Sequence, residues 1–586
     1  MRRQHRQRLR RGDRRGVRHR RDLRRGHRRL PSHRQAVLLS RPAGRGLLGP
    51  AARGRRGGLL QPARRRLRRR DRRTAVRRGR PPPPPDGLLG RDAGTFRLDI
   101  PLAPVYPCSA SRSGDGAAFP GQAHLRVARP VRQDGERELN PPAVHIATHG
   151  CRTNTSDSSA LARALVRLGF RIAEEPEGAD VIVVNSCTVT GGADRDAGKA
   201  LRRARREAPT ALIVLAGCLP VAFPDHPAVA EADLVLPGAD AQEGARRIAD
   251  ELSWREGNAV SGPSTAFPLE EAMHLSRFNL KIQEGCAGGC AYCIVPTARG
   301  KPRSRPAPDV LAELTAATTA GFEEIVLSGT NLLSYRWNPR KRGEAEPTEH
   351  EPVEARNASL DLAGLMVLLD RDAPHCHLRL SSLEPQAGME RVVELLAASP
   401  RWCRHLHLSL QHADDEVLAA MGRPYRFAAV EEVVRDAHRR IPLLSVGMDV
   451  IVGFPTETDS QFRRCLERLQ GLSFAYLHVF AWSPRPGTRA AVMSPLDAGV
   501  VKERSAALRA LSDSRRSAFS ASLAGQSISV LIERRRDDAG RLIGLTDNYV
   551  QVAVEGPDEW MRRVVPCRME RGPGGRLLGR IQTCSP

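Results

Sequence analysis

The spacing of apolar residues changes along the chain, and each change marks an element. From Val144 onward, short continuous apolar runs alternate with segments whose apolar residues recur every three or four positions. Val144–Thr148, Asp180–Asn185 (DVIVVN), Ala211–Gly217 (ALIVLAG) and Asp233–Leu236 read as strands, and Asp157–Leu168 and Gly192–Glu207 read as helices. Wholly apolar strands joined through helices by short connections predict a parallel sheet with helices on both faces.

A Gly-, Ser- and Pro-rich linker at Glu256–Phe267 ends that block. Six more apolar runs follow: Asn279–Gln283, Glu324–Ser328, His377–Ser381, His405–Leu410, Val446–Val452 and Tyr476–Trp482. Helical patterns separate them at Pro308–Ala320, Leu360–Arg371, Met389–Ala398, Ala428–Arg440 and Ser460–Gln470. Six βα units predict a partial barrel related to the eight-stranded one. Arg340–Arg356 is charged, contains Pro and reads as a loop insertion. From Gln526 the pattern becomes short β runs at Ile528–Ile532, Leu542–Leu545, Tyr549–Val554, Arg563–Arg568 and Leu577–Gln582. Five short strands with Gly turns predict a small closed or nearly closed barrel of OB type. The expectation is an α/β protein with domains at 141–255, 270–510 and 520–583.

Composition changes the picture at the N-terminus. The 586-residue chain has a formal net charge of +28, which suggests a nucleic-acid binder. Residues 1–100, however, hold 34 Arg and no Lys against 6 Asp, so the whole excess sits there. The remaining 59 basic and 59 acidic residues cancel, and overall charge says nothing of RNA binding by the body of the protein. Residues 1–140 are Arg-, Gly- and Pro-rich with no sustained period, and this composition predicts disorder. An Arg-rich RNA-binding tail is one reading. The other is a mis-called start or a functionless extension, because 88 Arg against 5 Lys suggest a GC-rich gene and no Met separates Met1 from Met273. No apolar run approaches the roughly 18–20 residues that span a bilayer, and no apolar stretch follows the first arginines as in a signal peptide. The expectation is a soluble, cytoplasmic protein that uses no membrane.

Chemistry enters with the cysteines. Twelve are too few for a disulfide scaffold in a chain of this length, so metal ligands or plain core residues are expected. Cys286, Cys290 and Cys293 have C-x3-C-x2-C spacing on a Gly-bearing loop just after the first strand of the predicted partial barrel. Three thiolates without a fourth nearby suit a 4Fe–4S cluster with one open iron, whereas structural zinc wants four closed ligands. Cys151, Cys187 and Cys218 each follow the C-terminal end of a predicted parallel strand. Those ends share one sheet edge, so three distant cysteines can meet there. One such Cys would be an ordinary core residue. Three at equivalent places argue for a second cluster.

These residues carry a family resemblance. From about Val144 to Gln582 the chain resembles the radical S-adenosylmethionine methylthiotransferases, and most of all the branch acting on threonylcarbamoyladenosine in tRNA. The matching segments are THGCRTN, NSCTVT, AGCLP, KIQEGCAGGCAYCIVPTARGKPRSR, VIVGFPTET, SPRPGT and GLTDNY. The family more often has Gly at Thr456 and Tyr at Trp482, and Met421-Gly-Arg423-Pro keeps the Arg in altered surroundings. The resemblance implies that Cys286, Cys290 and Cys293 hold the radical cluster whose open iron chelates S-adenosyl-L-methionine. It implies that Cys151, Cys187 and Cys218 hold an auxiliary 4Fe–4S cluster for sulfur donation. Tyr292, Ser328, Gly329, Glu384, Gln411, Arg423 and Asp449 are the expected S-adenosylmethionine contacts, since an acid can pair its ammonium and an Arg its carboxylate.

The implied reaction places a methylthio group on adenine C2 at tRNA position 37, the adenosine on the 3′ side of the anticodon. That C–H bond is unactivated, so a one-electron route through a cofactor is needed. The implied partners are the tRNA anticodon stem-loop and a reductant such as flavodoxin or ferredoxin. The C-terminal barrel resembles the TRAM-type RNA-binding domain. Arg534–Arg536, Arg541, Arg562–Arg563 and Arg571 offer it a phosphate-binding face, or are a solvated charge run. Alternative acceptors for the same chemistry are isopentenyladenosine in tRNA and an aspartate of a small-subunit ribosomal protein. A zinc-stabilised RNA-binding protein without catalysis would explain the cysteines and the small barrel, but not six βα units.

Overall fold

The computed structural model describes residues 141–238, 240–253, 275–338, 359–372, 376–572 and 575–582. The Arg-rich stretch 1–140, the linker 256–267 and the insertion 340–356 lie outside the described residues, as do Cys108 and Cys584.

The first block is a five-stranded parallel sheet of order β2-β1-β3-β4-β5. Its strands are β1 (Ala143–Thr148), β2 (Arg171–Ile172), β3 (Val181–Ser186), β4 (Leu212–Gly217) and β5 (Leu234–Val235). All six residues of β3 are buried, because the alternating side chains serve two cores. Val181 and Val183 enter one apolar cluster, Ile182 and Val184 the other. Each such side chain contributes roughly 1.5–3 kcal/mol by burial, which keeps the sheet edge rigid. The helices are α1 (Arg152–Arg167), α2 (Gly191–Glu207), α3 (Cys218–Ala222) and α4 (Ala241–Glu251).

α1 begins five residues before the apolar pattern does. Its first turns bury polar residues, and those residues tie the sheet-edge loops together. Asn154 Nδ2 donates to the carbonyls of His149 (2.8 Å) and Ser186 (2.9 Å), and Asn185 Nδ2 donates to Asn154 O (2.9 Å).

The partial barrel has six parallel strands. They are β6 (Phe278–Glu284), β8 (Glu324–Gly329), β11 (His377–Leu380), β12 (His405–Gln411), β13 (Ser445–Val452) and β14 (Tyr476–Ala481). The short β7 (Arg303–Ser304) pairs antiparallel to β6, and β9 (Arg336–Trp337) pairs with β10 (Leu360–Asp361) away from the barrel wall. Hydrogen bonding orders the wall as β6-β8-β11 and β12-β13-β14, joined by a bridge between Leu383 and Leu408. The helices are α5 (Val295–Arg299), α6 (Ala307–Thr319), α7 (Leu362–Asp372), α8 (Met389–Ala398), α9 (Asp415–Ala420), α10 (Phe427–Arg440) and α11 (Asp459–Gly471). A further helix, α12 (Ala498–Ser522), lies along β14, where Leu477 N donates to Ser512 Oγ (2.9 Å). Few of its residues are apolar and buried, so its pattern is weak in the sequence.

The C-terminal block is a closed five-stranded barrel of order β15-β16-β17-β19-β18, as expected. Its strands are β15 (Ser527–Arg536), β16 (Leu542–Thr546), β17 (Gln551–Val554), β18 (Val564–Arg571) and β19 (Leu577–Ile581). Tyr549, expected in a strand, is instead in the turn before β17 with a left-handed φ of 65°. That turn closes one end of the larger barrel. Arg379 and Glu324 form a buried two-pronged pair (2.8 and 3.0 Å), and Arg379 also donates to Asp547 O (3.0 Å) and Thr546 O (3.2 Å). Arg404 pairs with the Asp547 carboxylate through two bonds of 2.8 and 3.0 Å. Among the described residues no helix is long and apolar enough to cross a membrane.

Candidate functional site

The loop bearing Cys286, Cys290 and Cys293 leaves β6 through Gly285, whose φ is 76°. A Cβ there would lie 2.1 Å from Lys301 O, so the close turn needs glycine. Neighbouring backbone pins the loop. Cys286 N donates to Gly300 O (3.1 Å), Ala291 N to Met421 O (2.8 Å) and Ala490 N to Ala291 O (2.7 Å). The Gly288 amide points at Cys286 Sγ (3.2 Å), as expected for support of a thiolate.

Charge surrounds the sulfurs. Arg423 Nη1 lies 3.1 Å from Cys290 Sγ and 3.2 Å from the Glu384 carboxylate, while its Nε donates to Tyr425 Oη (2.8 Å). Asn331 Nδ2 donates to Glu384 (3.2 Å). Burial pushes the Cys293 thiol up to about 11, with the Arg423 cation opposing. Binding a metal cluster here must therefore displace protons.

Cys151, Cys187 and Cys218 meet at the edge of the parallel sheet. Gly150 (φ 104°) and Gly217 (φ 91°) precede two of them, and a Cβ on Gly150 would sit 3.1 Å from Cys187 Sγ. The Asn154 side-chain oxygen accepts from Cys151 Sγ (3.6 Å) and Cys218 Sγ (3.9 Å). Burial pushes the Cys218 thiol up to about 12, and the Arg299 guanidinium opposes it. Arg299 ends α5, directly after the first cysteine loop. It is buried, and pairs with Glu284 (2.7 Å) and Asp157 (3.0 Å). It thus ties the two cysteine sets together.

Both sets fit iron–sulfur clusters better than single ions. Four thiolates around one zinc at about 2.3 Å would stand about 3.8 Å apart. Each set offers three sulfurs, one short of the four ligands that close a structural zinc site.

Similarity to known proteins agrees with this geometry. Residues 280–469 match the Radical SAM superfamily, and residues 143–236 match the family described as Uncharacterized protein family UPF0004. The chain is 32% identical over 426 residues to threonylcarbamoyladenosine tRNA methylthiotransferase MtaB of Aquifex aeolicus, covering 71% of this chain and 97% of that relative. This chain belongs to the radical S-adenosylmethionine methylthiotransferase family. It is also 30% identical to the MtaB enzyme of Bacillus subtilis, over 72% of this chain and 92% of the relative. Identity to the tRNA-2-methylthio-N(6)-dimethylallyladenosine synthase of Polynucleobacter asymbioticus is 31%, over 71% and 92%. The cofactors of this methylthiotransferase are S-adenosylmethionine and 4Fe–4S clusters, which removes the zinc-protein alternative.

Within the methylthiotransferase, the structure gathers some expected residues and separates others. Tyr292, Glu384 and Arg423 stand together beside the Cys286 loop, with burial pushing the Tyr292 phenol up against the pull of Arg423. Ser328 does not join them. It is fully buried and its hydroxyl shares a hydrogen bond with Ser156 of α1 (3.0 Å), so it serves the packing of α1 on the barrel. Gly329 lies where a Cβ would be 3.0 Å from Gln283 O, so it allows close backbone approach. Gln411 ends β12 with a φ of 68°.

Asp449 is paired with two histidines of the neighbouring strands. One of its oxygens accepts from His407 Nε2 (2.9 Å) and His478 Nδ1 (3.2 Å). Burial alone would raise this carboxyl, but the two histidines outweigh it and hold it at about 2.

Sequence reasoning missed Arg299, Asn154, Asp157 and Glu284. Arg299 and Glu284 stand inside the quoted KIQEGC…ARG segment, and Asn154 inside THGCRTN. Arg485 of SPRPGT was also missed. It is buried against Asp194 (2.6 Å) and the Thr188 hydroxyl (2.9 Å), one residue beyond Cys187. The expected basic face is largely neutralised. Arg535, Arg536, Arg541 and Arg563 pair with Glu533, Asp558, Asp537 and Glu323, and Arg562 packs over the Phe322 ring.

Proposed function

We propose that this protein places a methylthio group on C2 of N6-threonylcarbamoyladenosine at position 37 of tRNA. The observation that carries the reading is Arg299. It joins a three-thiolate loop and a three-thiolate sheet edge, so a nucleobase between them would face both. When bound, the clusters supply one-electron cleavage of S-adenosylmethionine and the sulfur that is transferred.

The chain's own residues do the rest. Cys286, Cys290 and Cys293 would hold one cluster, and Cys151, Cys187 and Cys218 the other. Glu384 and Arg423, opposite charges 3.2 Å apart, match the ammonium and carboxylate of an amino-acid substrate. Tyr292 and Gln411 border that site, and Gly329 leaves it room. The reading divides the chain into an auxiliary-cluster domain (141–255), a radical domain (270–510) and an RNA-binding barrel (520–583). Arg534 and Arg571, with no carboxylate partner among the described residues, remain for phosphate contacts. Anticodon-loop bases can be splayed out of their stack, which suits a recessed centre. The reaction belongs in the cytoplasm, with flavodoxin or ferredoxin as reductant.

Dimethylallyladenosine is the second reading, because relatives of that name are as similar to the chain as the threonylcarbamoyl enzymes are. Nucleoside analysis of tRNA from a deletion strain separates the two. The reading expects loss of the 2-methylthio-threonylcarbamoyl nucleoside and accumulation of its unthiolated precursor. Loss of the 2-methylthio-dimethylallyl nucleoside instead would refute it.

A further inference from the structure

The inner face of the large barrel carries a polar wall that the two cysteine sites do not use. Alternate residues of a strand share a face, so His405 and His407 of β12, Asp449 of β13, and Tyr476, His478 and Phe480 of β14 form one surface. Tyr476 Oη meets His405 Nε2 (2.8 Å) and His407 Nδ1 (3.0 Å), and His407 continues to Asp449 (2.9 Å). At the other end Tyr549 stacks on His405 with ring centres 4.4 Å apart and on Tyr476 at 5.8 Å. His478 and Phe480 are open to solvent on this wall, Phe480 by 45%.

Arg152 ends this wall, one residue after Cys151. Its guanidinium donates to Tyr549 Oη (3.1 Å) and lies over that ring at 5.7 Å. It is half-buried, yet among the described residues it has no carboxylate partner. The buried arginines nearby all do: Arg299 has Glu284, Arg379 has Glu324, Arg423 has Glu384 and Arg485 has Asp194. Helix stability does not explain Arg152 either. It is the first residue of α1, where the helix dipole disfavours a cation.

A half-buried guanidinium held at a fixed angle and left without an anion suits a planar carboxylate from a ligand. The two N6 substituents named among the relatives differ in this respect. Threonylcarbamoyl carries a carboxylate, a hydroxyl and urea N–H groups, whereas dimethylallyl is wholly apolar. An apolar group there would take water from the Arg152 guanidinium without supplying an anion, which discriminates against it.

We propose that Arg152, oriented by Tyr549, binds the threonyl carboxylate and so sets the specificity of this methylthiotransferase. The inference rests on the threonylcarbamoyl reading given above.

The test uses anticodon stem-loops carrying threonylcarbamoyladenosine, its carboxyl methyl ester, or dimethylallyladenosine, with the reconstituted full chain under anaerobic conditions. The quantity read is kcat/KM for methylthio product with the acid relative to the ester. A charge-assisted pair predicts a preference on the order of 10- to 100-fold in the wild-type protein. In Arg152→Gln that ratio should collapse toward one, chiefly through KM. Because it is a ratio, the fraction of enzyme with intact clusters cancels. Tyr549→Phe, in a different domain from the cysteines, is the second variant and should cut the ratio several-fold. Wild-type ratios in both variants would overturn the role of Arg152 while leaving the threonylcarbamoyl reading intact. A wild-type protein that accepts the dimethylallyl stem-loop and refuses the threonylcarbamoyl one would overturn both.

Discussion

The two cysteine triads are assembled by opposite routes. Cys286, Cys290 and Cys293 lie within eight residues, and their loop is shaped by local glycines and a few backbone hydrogen bonds. Cys151, Cys187 and Cys218 span 68 residues and meet only because three parallel strands end on one edge. The first is a motif that a sequence shows directly. The second is a property of the fold, and its cysteines exist as a set only after the sheet has formed. A local loop can be emptied with little damage around it. A sheet-edge set shares Asn154, Asn185 and Ser186 with the packing of α1, so its loss should reach further.

Replacing each triad by Ala is the sharpest way to break that comparison, and it has the largest expected effects. Without Cys286, Cys290 and Cys293 both 5′-deoxyadenosine and methylthio nucleoside should disappear. Without Cys151, Cys187 and Cys218 only the methylthio product should disappear, because cleavage of S-adenosylmethionine needs the barrel site alone. Chromatography of one anaerobic reaction reads both compounds. Iron content should fall from about eight per chain to about four in either variant. Methylthio product from a folded Cys151/Cys187/Cys218 variant would show that the sheet-edge set is not needed for sulfur insertion. Thermal melts of the two apo variants test the structural half, with the larger drop expected for the sheet-edge set.

Below these effects lies the buried pair that fixes the small barrel under the large one. Burial alone would raise the Glu324 carboxyl, but the adjoining Arg379 guanidinium outweighs it and holds it at about 2, against an ordinary 4.5. A depressed carboxyl contributes stability that is complete above its unfolded pKa and is lost as pH falls through the folded one. The stabilisation should therefore be full above about pH 4.5 and fade toward pH 2. Arg379→Met leaves Glu324 buried without its cation and should cost about 3–5 kcal/mol. Denaturant melts at pH 7 measure it, and a change under 1 kcal/mol would show that the pair is not what anchors the Thr546–Val550 turn.

How far the sequence foretold these features depends on how locally each is encoded. Strand existence was legible wherever both faces are buried, as in DVIVVN and ALIVLAG, because short apolar runs rich in Val and Ile are too short for a helix and suit a strand covered on both sides. The start of α1 was not, because Thr153, Asn154 and Ser156 are buried for their hydrogen bonds rather than for apolar area. α12 was missed for a related reason, since few of its buried residues are apolar and its hydrogen bonds to β14 come from Ser512. Asp449 was expected at the S-adenosylmethionine site, and its pairing with His407 and His478 follows from the register of three parallel strands, which no local pattern shows. Arg299 was quoted within a motif, yet its partners Asp157 and Glu284 are separated by 127 residues, a distance no local pattern bridges.

The smallest expected effect concerns residues 1–140, the part of the chain with neither cysteine set. They hold the whole net positive charge, contain no residue of either triad and precede the first strand. If charge alone made them an RNA-binding arm, their contribution would be sequence-independent and steeply salt-dependent. A chain starting near Leu125 should keep full methylthiolation and bind tRNA within about tenfold of the longer chain at physiological salt. It should also bind with a shallower dependence of log Kd on log salt, since fewer phosphate contacts release fewer ions. Filter binding across a salt series separates these quantities. A loss of affinity far beyond tenfold, or insoluble protein, would make the Arg-rich stretch a working part of the enzyme. The comparison of two cysteine sites would then have to include a third region that neither motif nor fold predicts.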